Sequence, residues 1–283
     1  MITFPSAALF ERSPKFSAQD VLMGVAANPS EQDGPGRLRI DVGGQVDALQ
    51  FYGLEAGRKQ PVIYLRGDVM RHPKGGPNLV MPHYSTQTPL DVQRQAEAWA
   101  VSANRPYIHL ARPGILGSSG RHADRRCERE IALVDAALDR FKQTFQWERL
   151  NLVGHSGGGY LVAALMARRN DLNCAVIASG NVSVRRRNEA MTGDANRDVT
   201  GHVDFVDPVD FVAKVASHPP EKVIVLTDKS DRSVSAEHQQ HYVDALRKVG
   251  VPVEHGFVVA NDPDHHMLDK EAHLAAFAFL GDR

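Results

Sequence analysis

The stretch "LNLVGHSGGGYLVAALMARR", residues 150–169, decides how the rest of the chain is interpreted. A short apolar run leads into Gly154-His155-Ser156-Gly157-Gly158-Gly159, and a second apolar run follows. The central residues form the pattern Gly-x-Ser-x-Gly, in which a strand turns sharply into a helix. Glycines two residues before and two after the serine remove side chains that would collide in that turn. The pattern therefore predicts an exposed serine hydroxyl at the start of a helix, where free N–H groups favour negative charge.

Short apolar runs recur along the chain and alternate with segments of helical period. "RLRIDV" (37–42) and "VDALQFYG" (46–53) are predicted to form an opening strand pair around the turn signal Gly43-Gly44. The predicted buried strands are "PVIYL" (61–65), "YIHLA" (107–111), "LNLVG" (150–154), "AVIAS" (175–179), "KVIVLT" (222–227) and "VEHGFVV" (253–259). Such nearly continuous apolar runs are typical of strands covered on both faces. Helices are indicated by a start at Thr88-Pro89-Leu90-Asp91, by the stripe Ile131, Val134, Leu138, Phe141 and Phe145, and by a stop at Gly250. The alternation predicts a doubly wound, mostly parallel sheet with helices on both faces.

Two segments interrupt this alternation. Residues 68–87 are rich in proline, glycine and histidine, and residues 181–210 are mixed and polar. Both are longer than ordinary connections, so we expect functional loops, with 181–210 forming a short lid-like insertion. No second domain is indicated, and the chain is predicted to fold as a single domain over residues 1–283.

Composition excludes several classes of function. The net charge of −1 gives no electrostatic reason to bind nucleic acid or an anionic membrane. No signal-peptide pattern and no run of roughly 20 apolar residues is present, so a cytoplasmic protein is expected. Cys127 and Cys174 lie far apart and without metal-ligand spacing, which predicts neither a disulfide scaffold nor a metal site. Phosphate-loop and dinucleotide-binding patterns are missing at the glycine-rich turn, and no cofactor is expected.

A nucleophilic serine needs a base that accepts its proton and donors that hold the oxyanion. Candidate acids Asp228 and Asp231 follow the strand "KVIVLT", and candidate bases His265 and His266 follow the last predicted strand. With the serine turn and the strand order, these residues make roughly residues 38–280 resemble the α/β-hydrolase superfamily. The resemblance implies the α/β-hydrolase fold and a catalytic triad in the chain order nucleophile, acid, histidine.

The resemblance also implies a role for each candidate. Ser156 is the expected nucleophile, and the spacing after the strand favours Asp231 over Asp228 as the acid. The base is expected to be His265, with His266 as the alternative. One oxyanion N–H would come from Gly157 and the other from Asp68, in the loop Arg66-Gly67-Asp68.

The expected chemistry is acyl transfer on a small-molecule carboxylic ester, because a family peptidase normally carries an additional large domain. A small acyl-peptidase or amidase is the alternative within this class. From other classes, a non-catalytic binding protein and a lyase or cofactor-free haloperoxidase on the same fold stay open. The expected partner is a small acyl substrate, and a homodimer is left open.

Overall fold

A computed structural model describes residues 1–57, 60–72 and 77–281. The chain divides into two compact units. The first comprises Met1–Ile63 and Val69–Glu148, and the second comprises Tyr64–Asp68 and Arg149–Arg283. The prediction of a single domain over 1–283 stays a prediction.

The first unit contains most of the antiparallel strands. Its strands are β1 (Arg37–Val42), β2 (Gln45–Leu54), the first half of β3 (Val62–Leu65), β4 (Met70–Arg71), β5 (Leu79–Val80) and β6 (Tyr107–Leu110). Its helices are α1 (Ala18–Met23), α2 (Pro89–Ala103) and α3 (Glu128–Phe145), with short 3-10 helices at Ala7–Phe10, Pro82–Thr86 and His122–Asp124. The sheet order in this unit is β1-β2-β6-β3, with β1–β2 and β2–β6 antiparallel.

Local sequence signals explain several of these elements. Gly43 and Gly44 form the turn between β1 and β2 with φ of 63° and 80°, which glycine adopts without steric cost. Helix α2 begins with the predicted capping box: Asp91 N–H donates to Thr88 Oγ1 at 3.2 Å, and Thr88 N–H donates to Asp91 Oδ2 at 2.8 Å. In the 68–87 segment, β4 and β5 pair with each other, while residues 73–76 lie outside the described residues.

The second unit contains the parallel part of the sheet. Its strands are the second half of β3, β7 (Leu150–His155), β8 (Leu172–Ala178), β9 (Lys222–Thr227) and β10 (Glu254–Phe257). Its helices are α4 (Gly157–Met166), α5 (Val184–Thr192), α6 (Val212–Ser217), α7 (Ala236–Lys248) and α8 (Asp269–Gly281), with a 3-10 helix at Pro208–Phe211. The sheet order is β3-β7-β8-β9-β10, and the pairs β7–β8, β8–β9 and β9–β10 are parallel.

Every residue of β7 and β8 is buried, so both faces of these strands are covered. Helices α4 and α8 both pack against the two strands. The prediction of a mostly parallel sheet flanked by helices is therefore confirmed. The 181–210 segment contains α5, and its role as a lid stays a prediction. In the described part of the chain, no helix combines the length and apolar character that crossing a membrane requires.

Candidate active site

Ser156 lies between β7 and α4 in a backbone conformation that L-residues rarely adopt. Its φ is 54° and its ψ is −116°. A conformation of this kind costs about 1–3 kcal/mol and persists only where the surrounding structure enforces it. Because α4 begins at the next residue, Gly157, the partly exposed serine stands beside the unpaired N–H groups of a helix N-terminus.

Two glycines permit this turn, because a side chain at either position would overlap backbone atoms. A Cβ atom on Gly154 would lie 2.3 Å from the carbonyl oxygen of Gly158. A Cβ atom on Gly158 would lie 1.9 Å from the carbonyl oxygen of Leu65. Both contacts are to backbone atoms that have no freedom to withdraw. The predicted need for glycine two residues before and two after Ser156 is confirmed.

The loop that follows β3 runs directly beside the serine. A Cβ atom on Gly67 would lie 3.0 Å from the Cβ atom of Ser156. Asp68, the next residue, is partly buried. This placement is compatible with oxyanion donors from Asp68 and Gly157, whose roles stay predictions.

Asp231 is held rigidly in the loop after β9. Its Oδ1 atom accepts the N–H groups of Ser233 and Val234 at 2.8 and 2.9 Å. Its Oδ2 atom lies 2.8 Å from Nδ1 of His266. The carboxylate is fully shielded from solvent, and the His266 side chain is 12% exposed. This acid and this histidine therefore form a buried, well-anchored pair.

Asp228 forms a second pair beside the first. Its carboxylate accepts the N–H groups of Ser230 and Ala260 at 2.7 and 2.8 Å, and its Oδ2 atom lies 3.2 Å from Nδ1 of His265. Burial alone would raise the pKa of Asp228, but the two N–H donors and His265 hold that pKa below its usual value. The His265 side chain is 35% exposed, so this pair is open to solvent on the histidine side.

The sequence analysis paired Asp231 with His265, and the structure has a different pairing. His265 contacts Asp228, while the alternative histidine, His266, contacts Asp231. The physical reason is a backbone twist: His265 has a φ of 53°, in the left-handed region, so the adjacent side chains point to different acids.

Asp262, which sequence reasoning missed, fixes this twist. Its Oδ1 atom accepts the N–H groups of His266 and Met267 at 2.8 and 2.7 Å, and its Oδ2 atom accepts that of Asp264 at 3.1 Å. Burial tends to raise the pKa of Asp262, but these N–H donors hold it below its usual value. The only sequence signal was the turn composition of "NDPD", because aspartate side chains often accept N–H groups a few residues ahead.

Sequence reasoning also missed His155 and Asp269, which flank the serine turn. His155 occupied the unspecified position of Gly-x-Ser-x-Gly, and Asp269 was part of the terminal helical pattern. In the structure, His155 Nε2 lies 2.8 Å from the carbonyl oxygen of His266, and His155 Nδ1 lies 3.5 Å from Asp269 Oδ2. No local pattern could have indicated these contacts, since they join residues more than a hundred positions apart.

The sequence that forms this site matches a known protein family. The sequence model of Peptidase_S9, the prolyl oligopeptidase family, matches residues 119–281, which include the serine turn and both Asp–His pairs. The chain belongs to the prolyl oligopeptidase family. As a member, it is a serine hydrolase of the α/β-hydrolase superfamily. A comparison with curated protein sequences found no significant match.

Solved structures similar to this prolyl oligopeptidase family member include esterases and a peptidase. An esterase of Pyrococcus furiosus is 13% identical, with a TM-score of 0.62 over 100% of this chain and 98% of that chain. Est1E of Butyrivibrio proteoclasticus, with ferulic acid bound, is 14% identical, with a TM-score of 0.61 over 87% and 98%. The acylaminoacyl peptidase of Pyrococcus horikoshii is 15% identical, with a TM-score of 0.59 over 86% and 41%. These similarities confirm the predicted α/β-hydrolase fold.

Proposed function

We propose that the protein is a serine esterase that cleaves a small-molecule carboxylic ester through an acyl-enzyme. The observation that carries this proposal is the buried Asp231–His266 pair at 2.8 Å, whose histidine contacts His155, the residue before a serine with φ of 54° and ψ of −116°. A nucleophile, a base and an acid that orients the base are the three parts that acyl transfer by serine requires.

In this proposal, His266 is the base. Because its Nδ1 atom faces the Asp231 carboxylate, which accepts hydrogen bonds, Nδ1 carries the proton and Nε2 has the free electron pair. As the Ser156 oxygen forms a bond to the substrate carbonyl carbon, its proton moves to Nε2, and Asp231 stabilises the resulting imidazolium. The imidazolium then protonates the departing alcohol oxygen as the ester C–O bond breaks. Water repeats the sequence on the acyl-enzyme and releases the acid and free Ser156.

The carbonyl oxygen becomes negative when Ser156 attacks, and it needs donors that are already in position. In the proposal, these donors are the N–H group of Gly157 at the start of α4 and the N–H group of Asp68. The close approach of Gly67 to Ser156 supports this assignment, since it brings the β3 loop to the reacting atom.

An ester is favoured over a peptide by the coverage of the similar structures. The two esterases are matched over 98% of their own chains, whereas the acylaminoacyl peptidase is matched over 41%. The match to a peptidase family supports the second candidate, a small acyl-peptidase or amidase.

The first test is reaction with a fluorophosphonate probe, followed by intact-mass measurement. Wild type should gain one adduct, and Ser156→Ala should gain none while keeping its melting temperature. Ser230→Ala, which changes an exposed serine in the acid loop, is the matched control and should react like wild type. A wild-type protein that stays unlabelled, or a labelled Ser156→Ala, would overturn the proposal.

A second test separates the two candidate substrates. Matched nitrophenyl esters and nitroanilides with the same acyl groups give turnover on an alcohol and an amine leaving group. The proposal predicts turnover of the esters, with slow or no turnover of the anilides. Anilide turnover as efficient as ester turnover would favour the acyl-peptidase or amidase.

A further inference from the structure

His155 precedes the nucleophile and is 4% exposed at the end of β7. Most buried side-chain polar atoms have a hydrogen-bond partner. One partner is the backbone carbonyl oxygen of His266, 2.8 Å from Nε2. A carbonyl oxygen only accepts, so Nε2 carries the proton and donates it to this bond. The residue before the serine thus holds the backbone of the residue assigned above as the base.

The ring of His155 also contacts the ring of His266. The two ring centroids lie 4.9 Å apart, with an interplanar angle of 56°. His266 is therefore held at two points: Asp231 fixes its Nδ1 atom, and His155 fixes its carbonyl group and one side of its ring. On its other side, His155 lies against the loop that follows β3, where a Cβ atom on Gly67 would come within 3.0 Å of Nδ1.

Asp269, the first residue of α8, faces the remaining nitrogen of His155. Its Oδ1 atom accepts a hydrogen bond from the Tyr64 hydroxyl, and its Oδ2 atom lies 3.5 Å from His155 Nδ1. That Oδ2 atom is buried and has no hydrogen-bond partner among the residues that the structure describes. Burial tends to raise the pKa of Asp269, but His155 and the Tyr64 hydrogen bond hold it below its usual value. The Asp269 carboxylate therefore borders the Nδ1 side of the His155 ring and restricts its rotation.

We propose that His155 is a positioning residue, which Asp269 orients and which holds His266 at the distance and angle needed to accept the Ser156 proton. The inference rests on the proposed function and deepens it, because it assigns a role to two residues outside the triad. Three contacts of His155 support it. Its Nε2 atom bonds the backbone carbonyl of His266, its ring contacts the His266 ring, and its Nδ1 side faces the buried Asp269 carboxylate.

A packing role is the competing explanation, and two substitutions at the same position separate them. His155→Gln keeps a side-chain N–H that reaches the His266 carbonyl, whereas His155→Leu keeps the volume and removes the donor. Misplacing a reacting group by about 1 Å costs on the order of 100-fold. We therefore expect His155→Leu to lose about 30–100-fold in kcat with little change in KM, and His155→Gln to stay within about 5-fold of wild type.

The experiment uses the whole chain and measures kcat, KM and the rate of fluorophosphonate labelling for each variant. Asp269→Ala removes the side chain that borders Nδ1, and we expect a loss of about 3–10-fold in kcat, because the His155 ring is then less firmly oriented. His241→Gln, on α7, is the control for replacing a histidine, and it should match wild type. Melting temperatures identify any variant that has lost its fold.

The outcomes distinguish this inference from the proposed function. If wild type is labelled and the kcat of His155→Gln is well above that of His155→Leu, the inference is supported. If wild type is labelled and the kcat of His155→Leu equals or exceeds that of His155→Gln, the inference is overturned. The proposed function is then unaffected. If His155→Leu is unfolded, Asp269→Ala decides: a kcat equal to that of wild type overturns the inference. Unlabelled wild type overturns the proposed function, and the inference with it.

Discussion

Two Asp–His pairs lie side by side at the ends of β9 and β10, and they differ in burial. His266 is 12% exposed and its Nδ1 atom lies 2.8 Å from Asp231. His265 is 35% exposed and its Nδ1 atom lies 3.2 Å from Asp228. Both acids accept two backbone N–H groups, so the acids themselves are equally well anchored.

The difference lies around the histidines. The His266 ring packs on His155, which directly precedes Ser156, whereas the His265 ring is exposed on one side. A hydrogen bond shielded from water is electrostatically stronger than an exposed one. We infer that the buried pair performs the proton transfer and that the exposed pair holds the loop. Three experiments test this assignment.

The largest effect is expected from the two histidines. His266→Gln removes the base and should lower kcat by about 10⁶-fold, the size of the loss found when a triad histidine is replaced. His265→Gln should lower it by less than about 10-fold, because it leaves the base in place. The measurement is ester hydrolysis by both variants, with melting temperature as the control. A larger loss for His265→Gln would reverse the assignment of the base.

The next effect is expected from the two acids. Asp231→Asn should lower kcat by about 10⁴-fold, because an amide oriented by the same N–H donors favours the wrong tautomer of His266. Asp228→Asn should lower kcat by less than about 10-fold, since it alters only the neighbouring histidine. Equal losses for the two variants in the same assay would mean that the pairs act as one unit.

The smallest effect concerns stability and its dependence on pH. The folded protein holds the pKa of Asp228 below its usual value, so the ionised form stabilises the folded state. This contribution is fully present above the unfolded pKa of about 3.9, and it is lost as pH falls through the folded pKa. At pH 6, we expect Asp228→Asn to be about 2 kcal/mol less stable than wild type, because the amide has no charge and only one oxygen for the two N–H groups that Asp228 accepts.

The check is a series of denaturant unfolding curves for both proteins between pH 6 and pH 3. The stability difference should shrink toward the acid end, because wild type loses the contribution that the variant never had. His265→Gln, measured in parallel, shows how much of the effect passes through the histidine. A stability difference that stays constant over this range would contradict the sign of the pKa shift.

Much of the architecture was predictable because its causes are local. The glycines around Ser156 are required by overlaps within one turn and the adjoining strand end, and the capping box at Thr88 spans four residues. The strand runs were recognisable because β7 and β8 are buried at every position. The chain's order of serine, acids and histidines is likewise a property of the sequence.

The pairing of acids with histidines was decided by the tertiary structure. His265 and His266 are neighbours with the same side chain, and nothing local tells which acid each will meet. The pairing depends on the left-handed φ of His265 and on the hydrogen bonds that the Asp262 side chain accepts from N–H groups of the following turn. His155 on β7 and Asp269 on α8 are more than a hundred residues apart in the sequence and come close together only in the folded structure. The order of residues sets which chemical groups are available. Packing across the unit sets which of these groups touch, because contact between distant residues depends on the whole backbone path.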